Sequence, residues 1–98
     1  MAKTDISDDM RLEKALSKRK PKWAEGLEVR AIADADDEPS FLVTFVLKAK
    51  HEHILEDGPA LAAASRFVHT TASDIAPDRW RYTRYLSADD AADLAKSA

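Results

Sequence analysis

The chain's 98 residues predict an α+β fold: an antiparallel sheet of two or three strands, one well-formed amphipathic helix packed on it, and smaller N- and C-terminal helices, in the order α-β-β-α-β-α. Three features carry this. Phe41-Leu-Val-Thr-Phe-Val-Leu47 is a strongly apolar run of strand length. Leu27 to Ala33 alternates beside it across a short polar loop, which predicts a hairpin. Asp57-Gly58-Pro59 then opens a helix with one apolar stripe.

Leu12, Ala15, Leu16 and Arg19 recur at helical spacing, so a first helix is expected over Ser7 to Arg19, ended by Pro21. In the first strand Leu27, Val29, Ala31 and Ala33 point one way. Asp34 to Ser40 has the acidic and proline chemistry of a turn. The second strand is read from Phe41 to Lys50. Its odd positions Phe41, Val43, Phe45, Leu47 and Ala49 face the core, while Leu42, Thr44 and Val46 begin an apolar second face.

Ala60, Leu61, Ala64, Phe67, Val68 and Thr71 form the stripe of the Pro59 helix, which is expected to run to about Thr71. A turn around Ser73-Asp74-Ile75 follows. Arg79 to Leu86 is rich in strand-forming aromatics and predicts a third strand. Trp80, Tyr82, Arg84 and Leu86 share one face of it; Arg79, Arg81, Thr83 and Tyr85 share the other. Ser87 caps a last short helix, with Asp89 and Asp90 at its positive end. Residues 1–98 read as a single domain, with 1–8 and 96–98 frayed.

Composition excludes more than it identifies. Hydrophobic content of 45% and charged content of 34% fit a soluble globular domain. Without cysteine there is no disulfide, thiol nucleophile or cysteine-bound zinc. Two glycines cannot build a phosphate-cradling loop. The longest strongly apolar run falls far short of the roughly 20 residues of a spanning helix, and no secretory pattern opens the chain. A cytoplasmic protein with no membrane partner and no cofactor is expected.

Three functional readings compete. The leading one is a small non-catalytic binding or regulatory protein that contacts another protein or itself. Its candidate residues are Ile32, Leu42 and Val46, which lie opposite the helix-covered face of the hairpin and would form a patch or dimer seam. The alternative is a nucleic-acid-binding module using the basic segments 18–23 and 79–85: Lys18, Arg19, Lys20, Lys22, Arg79, Arg81 and Arg84, interleaved with aromatic rings. The net charge of -3 opposes it. In that second segment the aromatics otherwise fill a core and the arginines line solvent. The weakest is a metal site at His51 and His53, which would share one face of an extended strand end, with Glu56, Asp57 or His69 as a third ligand.

Overall fold

The structure, a computed structural model, describes residues 7–97. The ends expected to fray lie partly outside these residues, at 1–6 and 98; Asp8 and Lys96, inside them, belong to helices. Three helices, a 3-10 segment and three strands follow one another: α1 (Asp8–Ser17), β1 (Ala24–Ala33), β2 (Pro39–Leu47), the 3-10 segment (Ala49–Glu56), α2 (Gly58–Ile75), β3 (Trp80–Leu86) and α3 (Ala88–Ser97).

The hairpin forms as its alternation dictates. β1 and β2 pair antiparallel, with Val29 opposite Val43 and Leu27 opposite Phe45. Phe41, Val43, Phe45 and Leu47 are all fully buried on one face. α1 contributes Leu12 and Leu16 to this core, and α2 contributes Ala64, Val68 and Ala72. The α2 start is fixed by Asp57, whose carboxylate accepts the Ala60 N–H at 3.1 Å, with proline in the first turn.

The sheet is mixed, not purely antiparallel. β3 lies beside β2 and runs parallel to it, in the order β1-β2-β3. The connection between them explains this: residues 48–79 carry the 3-10 segment and α2 back from the end of β2 to its beginning, the long crossover that a parallel pair requires.

Element ends also shift. β2 stops at Leu47, and Lys48 leads into the 3-10 segment, which takes in Ala49 and Lys50 and buries Ile54. α2 continues to Ile75, so Ser73-Asp74-Ile75 is its last turn. β1 begins earlier than its alternation suggests, with an irregular register between Ala24 and Gly26.

Trp23 is not the exposed end of a basic cluster. Its ring lies 5.6 Å from Phe45 and 6.4 Å from Tyr85, and Phe45 stacks on Tyr85 at 5.6 Å. The Tyr85 hydroxyl donates to the Leu61 carbonyl at 2.9 Å, so its single proton is used and the Ser65 hydroxyl, 2.8 Å away, donates to it. Burial raises the Tyr85 pKa, and the Ser65 bond opposes this.

The outer edge of β1 is plugged. The Val29 N–H points away from β2 and donates to Glu13 Oε1 on α1 at 2.9 Å, so a side chain takes the place of a further strand. Glu13→Ala is expected to cost about 1–2 kcal/mol, because a part-buried N–H loses its charged acceptor. A urea midpoint unchanged from that of the parent protein would refute this.

Candidate functional site

Residues paired across strands project from the same face, so the register defines the side of the sheet opposite α1 and α2 row by row. Ile32, Ser40 and Trp80 form the first row; Arg30, Leu42 and Tyr82 the second; Glu28, Thr44 and Arg84 the third; Gly26, Val46 and Leu86 the fourth. α3 covers one end of this face. Ser87 caps it by accepting the Asp90 N–H at 3.1 Å. Ala91, Leu94 and Ala95 then line, with Thr44, Val46 and Leu86, an open cleft of about 540 Å³, and Leu94 stays 46% exposed.

Of the first two rows only Arg30 lines the α3 cleft; in the first, Ser40 is fully buried beside Asp34, while the residues around it are more open. Trp80 is 62% exposed and Tyr82 40% exposed, with Ile32 and Leu42 half-buried beside them. The two rings meet edge to face at 6.4 Å, a favoured arrangement that holds both side chains in place.

Asp34 anchors this end of the face. Its carboxylate accepts the backbone N–H groups of Asp36 (2.9 Å) and Glu38 (3.0 Å), and the hydroxyls of Tyr82 (3.3 Å) and Ser40 (3.4 Å). The turn also holds Asp37 at a φ of 63°, a left-handed conformation that aspartate tolerates better than most residues. The Glu38 N–H bond is the main reason the Asp34 pKa is lowered; the Asp36, Tyr82 and Ser40 bonds add to it. Shielding from solvent raises the Tyr82 pKa, and the Asp34 charge adds to that. Asp34, Asp36, Glu38 and Asp78 border a second cleft, of about 520 Å³, with Trp80 and Tyr82.

A depressed carboxylate pKa stabilises the fold above its unfolded value, 3.8 for Asp34, and that contribution is lost as pH falls through the lower folded value. Asp34→Asn is therefore expected to flatten the acid limb of a plot of urea midpoint against pH. Identical limbs in the two proteins would show that the turn does not depend on the charge.

The structure brings some of the sequence-selected residues together and separates others. Ile32, Leu42 and Val46 share the face opposite the main core, but of the three only Val46 lines the cleft beneath α3. The seven cations form no single patch. Lys18, Arg19, Lys20 and Lys22 lie in the connection before β1, where Lys20 donates to the Glu25 carbonyl at 3.0 Å. Arg79 and Arg81 stand about 20 Å away along the strands, judged from the rise per residue.

Arg79 and Arg81 also lie on the helix side. The Arg79 guanidinium sits 4.2 Å above the Phe41 ring and donates to the Ser40 carbonyl, and Arg81 donates to Ser73 Oγ at 3.3 Å. Of the seven only Arg84 faces the open side, donating to Thr44 Oγ1 at 3.2 Å.

His51 and His53 are not on an extended strand. They lie in the 3-10 segment, with ring centroids 5.9 Å apart. Burial, aided by the charges of Lys50, Lys48 and His53, lowers the His51 pKa. No group of three His, Cys, Asp or Glu side chains able to hold a metal ion occurs among the described residues.

Trp80 and Tyr82 are the site residues that sequence reasoning missed as contact candidates. Their shared parity with Arg84 was visible, but which parity faces inward was not. Among the described residues no helix is long and apolar enough to cross a membrane. Comparison with protein-family models, curated proteins and solved structures finds no match.

Proposed function

We propose that the chain is a non-catalytic binding protein whose contact surface is the open end of the sheet, and that the partner it engages there is a protein. The observation that carries this reading is the pair of exposed, edge-to-face rings Trp80 and Tyr82, continuous with half-buried Leu42 and Ile32 on a rigid sheet. Aromatic residues on a fixed scaffold are the usual anchors of protein interfaces, because they bury a large area at little cost in conformational entropy.

The charge around the rings supports a protein partner over a nucleic acid. Asp34, Asp36, Glu38 and Asp78 border them and outnumber Arg79 and Arg81 in the same cleft, and an excess of carboxylates at that position opposes phosphates. Arg30 in the row of Tyr82 and Arg84 in the next favour the second reading, since arginines and two rings on one sheet face are also what unpaired bases stack on.

Capture from native lysate, with and without nuclease, tests the two readings. The unaltered protein is expected to retain a partner that nuclease does not release, and Trp80→Ala/Tyr82→Ala is expected to lose it while keeping its far-ultraviolet circular dichroism. Release by nuclease would favour nucleic acid. Equal capture by the double variant would remove this face from the contact.

A further inference from the structure

The two edges of the sheet are treated differently. On that of β1 the outward Val29 N–H is taken by Glu13 of α1. That of β3 has no neighbouring strand, and among the described residues nothing hydrogen-bonds to its outer backbone groups. A cleft of about 420 Å³ runs beside it. Ser65 and His69 of α2 form one wall, and Trp80, Arg81, Tyr82 and Thr83 the other. Consecutive residues of β3 point to opposite faces, so a cleft that takes in four of them lies along the edge itself. An open edge of this kind is a template for an added strand.

We propose that the strand added there is β3 of a second copy of this chain, antiparallel and centred on Thr83, giving a six-stranded sheet across a two-fold axis. The side chains of β3 specify this occupant. In that register Trp80 opposes Leu86 of the second copy, Arg81 opposes Tyr85, Tyr82 opposes Arg84, and Thr83 opposes Thr83. Each copy keeps its open face on the same side, as the parity of these pairs requires.

No arginine meets an arginine, two arginines meet aromatic rings, and the most exposed tryptophan meets a leucine. Such cross-strand pairs are what stabilise one strand pairing over another. The alternatives are poorer. Centring on Arg81 or Arg84 opposes like charges, and centring on Tyr82 leaves Tyr85 and Leu86 without partners. Only the Thr83 register pairs all seven residues of β3. The open faces of the two copies then become one continuous surface. This inference rests on the sheet edge, and it stands or falls separately from the protein-contact reading of the face.

Sedimentation equilibrium of the full chain over a wide concentration range tests it. A dimer is expected. Tyr82→Arg places a like charge opposite Arg84 twice per dimer and is expected to weaken association by about tenfold or more. Tyr82→Arg/Arg84→Glu is expected to recover most of that loss, because positions 82 and 84 oppose each other only in this register.

The absence of cysteine allows a second readout. A short thiol–thiol linker should join Thr83→Cys into a covalent dimer much faster than Ala92→Cys on α3. A monomer at every concentration would overturn the proposal. So would a dimer indifferent to Tyr82→Arg, or equal linking at the two cysteine positions.

Discussion

Phe45→Ala is expected to destabilise the protein by about 3–5 kcal/mol, the range for removing a fully buried phenylalanine from a packed core. A domain of this size has about 5–15 kcal/mol in all, so this one truncation removes a large share of the stability. The site justifies the upper part of the range. Phe45 has no exposed surface, stacks on Tyr85 at 5.6 Å and touches Trp23 at the same separation. Truncation removes the shared neighbour of two further rings, one from the loop before β1 and one from β3. Urea unfolding followed by tryptophan fluorescence measures the loss, with Trp23 reporting on the core. A midpoint shift equivalent to less than 1 kcal/mol would mean that the register joining Leu27, Phe45 and Tyr85 is wrong.

That register shows where the sequence is legible and where it is not. The hairpin could be read because both strands obey period two and the loop between them is short. One face of β2 is apolar without interruption, so its inward side is unambiguous. α2 could be read because its stripe is bounded by Asp57 and Pro59 at one end. β3 offers no such sign. Trp80, Tyr82 and Leu86 occupy one parity and Tyr85 the other, with arginine on both. Hydrophobic patterning therefore favours the Trp80 side as the inward one, and the structure turns Tyr85 inward instead, onto Phe45. The direction of β3 was equally hidden, because orientation depends on where α2 delivers the chain and not on the residues of β3.

The site was half legible for the same reason. Leu42 and Val46 stood out because a hairpin covered on one face has no use for them. Val46 lines the cleft beneath α3 with Ala91, Leu94 and Ala95. That cleft does not take in Leu42, which lies in the row of Tyr82. What the sequence left unexplained thus divides into a part that faces another element of the chain and a part that adjoins the exposed rings. The basic segments misled because proximity in composition is not proximity in space. Arg79 serves Phe41 and Ser40, and the lysines before β1 lie at the other end of the strands.

Trp80→Ala should separate binding from folding most sharply. The side chain is 62% exposed and its ring touches only Tyr82 among the aromatic contacts of this face. Its removal is expected to change stability by less than about 0.5 kcal/mol, as for surface positions away from core, cap or network. Truncating a tryptophan at the centre of an interface, in contrast, costs about 2 kcal/mol or more of binding energy, or about thirtyfold in Kd. Leu42→Ala gives the opposite balance: it is half-buried in the central strand, so its removal should reduce stability as well as binding. Comparing the two variants by urea unfolding and by titration with the captured partner therefore tests the geometry of the face. If Trp80→Ala lowers the unfolding midpoint as much as Leu42→Ala does, Trp80 is a packing residue. If it leaves both the midpoint and Kd unchanged, the exposed rings do not form the contact.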